Sequence, residues 1–215
     1  MTMKVYGWPN TRSLRAVWAL EEAGVTYDYV PINLMRGEGR HPAYLGMNPG
    51  GKVPTLVDGD LVITESAAIC NYIGDKYPAS GLTPRCGIGE RAIYDKWCFF
   101  VLTELEQPLW TIGKHRFAIP EKYRIPAMVD TAIWEFSVAA KALDAQFGSG
   151  PFALGERFSA VDILLGHTLA WAEIWSIPLD HERLRDYARR LRARPALSRA
   201  RRREEQAVAG IVSNA

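Results

Sequence analysis

The chain has 215 residues, of which 48% are hydrophobic and 23% charged, and its formal net charge is +2. This length allows one large domain or two small ones, with enough residues to bury sizeable cores. No run of about 18 uncharged apolar residues is present and the N-terminus lacks a secretory signal pattern, so we expect neither a membrane span nor export.

The three cysteines are odd in number, and none is spaced from another as in a metal-binding pair. Cys70 and Cys98 have apolar neighbours at helical spacing, so we expect buried thiols. Reduced thiols indicate a reducing, cytoplasmic location, and we expect no metal site.

The first 77 residues alternate between strand and helix patterns. Residues 3–8 form a strand pattern, residues 11–23 carry an apolar helical stripe that stops at Gly24, and "VTYDYVPIN" is a second strand pattern. A strand–helix–strand unit of this kind favours a parallel pair of strands.

The segment "GGKVPTLVDGDLVITES" predicts a hairpin followed by a helix. Asp58-Gly59-Asp60 separates two short apolar runs, and Asp-Gly is a strong signal for a tight turn. Pro54 has no N–H for a sheet ladder, so it belongs at the first residue or at the edge of its strand. Residues 65–77 then continue as a helix.

Beyond "PASGLTPRCGI", which is rich in Pro and Gly, the pattern is helical throughout. We predict one long helix over 89–113 with a bend near Pro108, and further helices over 121–147, 160–176 and 181–193, with a short one after Pro195. The predicted fold class is therefore an α/β domain over 1–79, a linker over 80–88 and an all-helical domain over 89–215.

Two features of the second half are interpreted as structural. Ser159 with Asp162 three residues later is a capping-box pattern, and loss of such a cap costs about 1 kcal/mol. Residues 182–205 hold 10 arginines and 4 acidic residues. Leu and Ala recur there at helical intervals and no base-reading motif accompanies the charge, so we interpret the stretch as solvated helix faces.

Three positions in the α/β domain suit one small, peptide-like anion. The first strand ends at "WPNTRS", where the N–H groups of a helix start favour an anion or a thiolate. Val53 offers both its backbone groups to an extended peptide if the bond to Pro54 is cis. Glu65 and Ser66 open a helix whose N–H groups and Ser66 hydroxyl suit a carboxylate, while Glu65 attracts an ammonium group.

The motifs "NPGGKVPTL", "ITESAAICNYI", "FSAVDILL" and "ARPAL" lie in the order and at the spacing found in cytosolic glutathione transferases. The chain resembles that family over nearly its whole length. The resemblance implies a thioredoxin-like domain followed by a helical domain, a homodimer, and glutathione as cosubstrate. The residues it implies for glutathione binding are Lys52, Val53, Pro54, Glu65 and Ser66, with Arg40 and His41 as further candidates.

The sequence offers more than one candidate for the residue that activates the thiol. Members of the family use Tyr, Ser or Cys near the end of the first strand, and "GWPNTRSLR" contains no Cys, unlike the cysteine-type bacterial branch. Resemblance to the theta/zeta-like serine/threonine branch favours Thr11 as hydrogen-bond donor to the thiolate, with Asn10 and Ser13 behind it. Tyr6 is a residue of the strand itself and suits the core. Arg15 either adds positive potential or pairs with an acid elsewhere.

The resemblance implies an enzyme that lowers the pKa of the glutathione thiol and directs the thiolate at a small electrophile. We expect the electrophile's pocket between the domains, lined by Trp8, Thr103, Glu104, Gln107 and Trp110. The alternatives are a glutathione-dependent disulfide reductase or peroxidase, an isomerase that returns glutathione, and a non-catalytic interaction protein. We expect no nucleic acid and no membrane among the partners.

Overall fold

The computed structural model describes residues 2–212, which form two compact units. The first unit runs to Thr83 and resumes at Arg192, and the second spans Pro84–Leu191. The boundary between Thr83 and Pro84 lies inside the predicted linker over 80–88. The prediction differs at the other end of the chain, because the segment from Arg192 onward belongs to the first unit and not to the helical one.

The first unit contains a four-stranded mixed sheet in the order β2-β1-β3-β4. Its elements up to Thr83 are β1 (Met3–Gly7), α1 (Ser13–Ala23), β2 (Tyr27–Pro31), α2 (Pro42–Leu45), β3 (Thr55–Asp58), β4 (Leu61–Thr64) and α3 (Ser66–Lys76). β1 and β2 are parallel, as predicted, and β3 is antiparallel to both β1 and β4. This is the thioredoxin-like arrangement that the resemblance implies.

Local signals set the ends of these elements. α1 ends at Gly24 in the left-handed conformation (φ 65°), which glycine adopts without a Cβ clash. The hairpin turns at Gly59-Asp60, with Gly59 at φ 62°. α1 begins at Ser13, two residues later than predicted, because residues 8–12 form a turn that side-chain hydrogen bonds hold together.

The main elements of the second unit are all helices. They are α4 (Gly89–Phe100), α5 (Glu106–Gly113), α6 (Ala127–Gln146), α7 (Ala160–Ile174) and α8 (Glu182–Arg192), the last of which ends at the boundary of the unit. The long helix predicted over 89–113 is present, but Val101–Leu105 winds as a π-helix between α4 and α5. This wider turn lies just before Pro108, whose ring and missing N–H disturb the turn that precedes it.

The capping box predicted at Ser159 and Asp162 is confirmed at the start of α7. Asp162 Oδ2 accepts hydrogen bonds from the Ser159 N–H (2.7 Å) and the Ser159 hydroxyl (3.0 Å). Asp162 Oδ1 accepts from the Ala153 N–H (2.8 Å) and the Tyr187 hydroxyl (2.6 Å). Four donors thus satisfy this fully buried carboxyl, in agreement with the structural interpretation.

A last helix, α9 (Pro195–Val212), belongs to the first unit and has 18 residues, so it is not the short helix predicted after Pro195. Two arginines form hydrogen bonds of 2.8 Å with carboxylates of α1. Arg194 Nη2 donates to Glu22, and Arg199 Nε donates to Glu21. Part of the arginine-rich stretch is therefore not simply a solvated face: it ties α9 to α1.

Within residues 2–212, no helix is both long and apolar enough to cross a membrane. The same part of the chain contains no group of three or more His, Cys, Asp or Glu side chains placed to hold a metal ion. Cys70 and Cys98 are buried free thiols, as predicted, and Cys86 is an exposed one.

Candidate functional site

Val53 lies two residues before β3, and its bond to Pro54 is cis, which is the condition for both of its backbone groups to face an extended peptide. Among the described residues, no hydrogen bond reaches the backbone N–H or C=O of Val53, although the residue is half-buried. Backbone groups away from solvent are nearly always paired. An extended peptide placed beside Val53 would pair with both groups.

Two side chains hold the loop that precedes Val53. The Tyr44 hydroxyl donates to the Lys52 carbonyl (2.6 Å), and Asn48 Nδ2 donates to the same oxygen (2.8 Å). Both side chains also contact the Thr55 hydroxyl, at 2.9 and 3.1 Å. Neither supporting residue is predicted by the motifs of the sequence. The Asn-Pro turn in "NPGGKVP" was the one signal that pointed to Asn48.

Arg40 lies beside this loop. Gly51 (φ 60°) packs so closely on the Gly39 carbonyl and the Arg40 guanidinium that a Cβ atom there would collide with the carbonyl oxygen. Arg40 and the exposed His41 also line a cavity of about 700 Å³, which Val53 does not line.

The same cavity is lined by Tyr6, which is half-buried in β1. The ring of Tyr6 lies 6.0 Å from the ring of Tyr44, inclined by 52°. Tyr6 therefore packs against Tyr44, while part of its side chain faces the cavity.

Glu65 and Ser66 stand at the start of α3. Glu65 is exposed and has φ 66° and ψ 112°, a conformation that residues with a Cβ rarely adopt. Ser66 is 5% exposed, and its hydroxyl oxygen accepts a hydrogen bond from Arg15 Nη1 (3.3 Å). Because Arg15 is fully buried in α1, it places a positive charge behind the N-terminus of α3. This arrangement suits a carboxylate.

The turn between β1 and α1 carries the three candidate activators. Asn10 is exposed (φ 61°), Thr11 is half-buried, and Ser13 is completely buried. The Thr11 hydroxyl donates to the Trp8 carbonyl (2.7 Å) and lies 2.9 Å from the Ser13 hydroxyl. Of the two hydroxyl groups in this turn, that of Thr11 is the more open to a ligand.

The Ser13 hydroxyl reaches a carboxylate that no sequence pattern indicated. It donates to Oε1 of Glu204 on α9 (2.7 Å), and the Tyr29 hydroxyl on β2 donates to the same oxygen (3.3 Å). Glu204 is 2% exposed, and burial raises the pKa of its carboxyl to about 7 against the lowering effect of these two hydrogen bonds. Glu204 lies in the arginine-rich stretch, which the sequence presents as solvated.

Three of the residues predicted for the electrophile's pocket lie together in the second unit. A groove of about 300 Å³ is lined by Thr103, Glu104, Gln107, Trp134 and Val138, among others. Trp110 does not line this groove, and Trp8 belongs to the first unit.

Comparison with known proteins extends these observations over both units. Family models of the glutathione S-transferase N-terminal and C-terminal domains match residues 1–75 and 139–203. Glutathione S-transferase 4 of Zea mays is 32% identical over 164 residues, which cover 75% of this chain and 73% of that protein. Glutathione S-transferase F9 of Arabidopsis thaliana is 37% identical over 117 residues, and the match spans only 54% of each of the two proteins.

A solved structure matches along nearly the whole chain. The theta class glutathione S-transferase from Xanthomonas axonopodis pv. citri, with glutathione bound, is 32% identical and has a TM-score of 0.77. The match covers 93% of this chain and 96% of that one. By sequence and by fold, the chain belongs to the glutathione S-transferase family and functions as a glutathione transferase.

Proposed function

We propose that glutathione binds in the first unit as an extended peptide, with its cysteinyl backbone paired to Val53 beside Pro54. One observation carries this proposal: no hydrogen bond from any residue of 2–212 reaches the backbone N–H or C=O of Val53. Main-chain pairing of this kind adds a ligand to a protein as a short strand would. The Xanthomonas relative, which carries glutathione in its structure, supports the same cosubstrate.

The γ-glutamyl end is assigned to the start of α3. Its carboxylate accepts hydrogen bonds from the helix N–H groups and from the Ser66 hydroxyl. The Ser66 oxygen already accepts from Arg15, so its own proton is left to donate. The Glu65 carboxylate pairs with the γ-glutamyl ammonium group.

The glycine carboxylate is assigned to Lys52, with Arg40 and His41 as further candidates. All three side chains are exposed. Across residues 2–212, none of the three forms an ion pair, so their N–H groups are available to a carboxylate.

Thr11 is assigned as the hydrogen-bond donor to the glutathione thiolate, ahead of Asn10 and the buried Ser13. A donor to the charged form lowers the pKa of the thiol below its usual value of about 8.5. The N-terminus of α1 acts in the same direction. The thiol proton leaves to solvent, and the thiolate then attacks a small electrophile.

A homodimer in a reducing, cytoplasmic environment completes the proposal. The free thiols of the described chain suit that environment. On α4 and α6, large apolar side chains are exposed, notably Phe99 (67%) and Trp134 (64%). A second copy that covers them about a two-fold axis is the commonest kind of assembly.

The assignment of Thr11 is tested by the ultraviolet absorbance of the thiolate in the glutathione complex, titrated from about pH 5 to 9. We expect the wild-type midpoint well below the free-thiol value. Thr11→Ala should raise the midpoint by about one pH unit or more, because a hydrogen bond to the charged form is lost. Thr11→Ser keeps the hydroxyl and should retain the low midpoint. Equal midpoints in wild type and Thr11→Ala would show that another group activates the thiol.

A further inference from the structure

The Glu204 carboxyl on α9 is connected to the β1–α1 turn by a continuous chain of hydroxyl groups. Glu204 Oε1 lies 2.7 Å from Ser13 Oγ, and Ser13 Oγ lies 2.9 Å from Thr11 Oγ1. The Trp8 carbonyl oxygen lies 2.9 Å from Ser13 Oγ and 2.7 Å from Thr11 Oγ1, so it can accept from either hydroxyl. The Trp8 N–H donates to Ser13 Oγ (3.1 Å). Several acceptors therefore compete for two hydroxyl protons.

Each hydroxyl has one proton to donate, so the protonation state of Glu204 decides the order of the chain. An ionised Glu204 accepts the Ser13 proton, and the Ser13 oxygen in turn attracts the Thr11 proton away from a ligand. A neutral Glu204 donates to Ser13, and Ser13 can then donate to Thr11. In that order the Thr11 proton is no longer drawn toward Ser13, and a thiolate competes for it with the Trp8 carbonyl. Bonds that run in one direction also strengthen one another.

We propose that Glu204 is a positioning residue for the thiol chemistry, and that its neutral form orders the Ser13 and Thr11 protons so that Thr11 donates to the glutathione thiolate. The inference rests on the proposed role of Thr11. Glu204 does not touch glutathione in this proposal, and the thiol proton still leaves to solvent.

The surroundings of Glu204 shift the ionisation of its carboxyl toward the neutral form. The side chain is 2% exposed, and burial raises the pKa of the carboxyl to about 7. Ser13 on α1, Tyr29 on β2 and Arg201 on α9 itself act to lower this pKa, while Glu205 on α9 raises it. The carboxyl and the thiol therefore titrate in overlapping pH ranges, and each influences the other.

A role in folding alone would also account for a buried Ser13–Glu204 hydrogen bond, so the test must measure the thiol itself. The experiment compares two proteins, the single variant Tyr29→Phe and the double variant Tyr29→Phe/Glu204→Gln. Removing the Tyr29 hydroxyl, which donates to Glu204 Oε1, leaves the Gln amide N–H free to face Ser13 at every pH. Tyr29→Phe alone is the matched control that keeps the carboxyl.

Thiolate absorbance of the glutathione complex is titrated for both proteins. We expect the double variant to show a single-proton curve with a midpoint lower by about half a pH unit or more, because its donor order no longer reverses as the pH rises. When Thr11→Ala is added to both proteins, their thiolate titrations should have equal midpoints. A shift that persists there would show a through-space charge effect and overturn the proposal, as would the absence of a shift with Thr11 present.

The wild-type complex provides a second measurement that requires no variant to fold. Coupling to Glu204 should spread its thiolate titration over a wider pH range than a single proton allows. A single-proton curve for the wild type would overturn the proposal. Failure of the Thr11 assignment is distinguishable, because Thr11→Ala alone would then leave the midpoint unchanged.

Discussion

At the scale of single residues, Glu65 combines an unfavourable backbone with an exposed side chain. Its φ of 66° and ψ of 112° belong to a region whose cost is of order 1–3 kcal/mol for a residue with a Cβ. The side chain is exposed and contributes little to packing. We therefore interpret the conformation as one maintained to present the carboxylate to glutathione at the start of α3.

Glycine and alanine at this position separate the backbone effect from the charge. Glu65→Gly is expected to raise the free energy of unfolding by about 1 kcal/mol, because glycine adopts a positive φ freely, whereas Glu65→Ala should change it little. Both variants should bind glutathione about tenfold or more weakly, because the ion pair with the ammonium group is lost. Urea unfolding and calorimetric titration measure the two quantities. Wild-type affinity in Glu65→Ala would contradict the assignment.

At the scale of secondary-structure elements, α9 is attached to α1 and β2 by polar contacts as well as by apolar packing. Ala196, Leu197 and Ala200 are buried, and the same helix brings Glu204 to Ser13 and Tyr29. The attachment therefore includes a buried carboxyl group, and this makes it sensitive to pH.

The sign of that sensitivity follows from the pKa of Glu204, which rises from 4.5 to about 7 on folding. Between these values the folded chain binds more protons than the unfolded chain, so the free energy of unfolding falls as the pH rises from about 4.5 to 7. The full effect is on the order of 3 kcal/mol. Glu204→Gln should flatten this dependence in urea unfolding at about pH 5 and 8. Glu205→Gln, an exposed neighbour, should retain it, and identical profiles for wild type and Glu204→Gln would exclude the effect.

At the scale of the whole molecule, the chain enters one compact unit, leaves it at Thr83 and returns to it at Arg192. Along the chain, the second unit is thus inserted between α3 and α9, which both belong to the first unit. Exposed apolar side chains on its α4 and α6 are the surface on which we propose that a second copy packs.

The proposed dimer is tested by Trp134→Glu, which places a charge on a side chain that is 64% exposed. Burying an unpaired charge in an interface is costly, so we expect the variant to sediment as a monomer where the wild type is a dimer. Ile174→Glu, at a side chain of α7 that is 72% exposed, is the matched control and should remain dimeric. A monomeric wild type at micromolar concentration would refute the assembly.

Features whose interactions lie within a few residues could be predicted from the sequence alone. Asp-Gly at the hairpin, Gly24 at the end of α1 and the Ser159–Asp162 capping box each act locally, so their residue types indicated the structure directly. The position of Val53 before Pro54 and of Ser66 at the start of α3 followed in the same way, because each depends on a short motif.

Which distant groups meet depends on how the helices and strands pack, and no local motif predicts it. Ser13 and Glu204 are 191 residues apart, and Arg15 and Ser66 are 51 residues apart. In the sequence, Glu204 is one of many charged residues at helical spacing, and such residues are usually solvated. Packing of α9 on α1 removes water from this one carboxyl and leaves two hydroxyl groups as its partners. The chemistry of Glu204 is therefore a property of the packing, since burial and the chosen partners set its pKa.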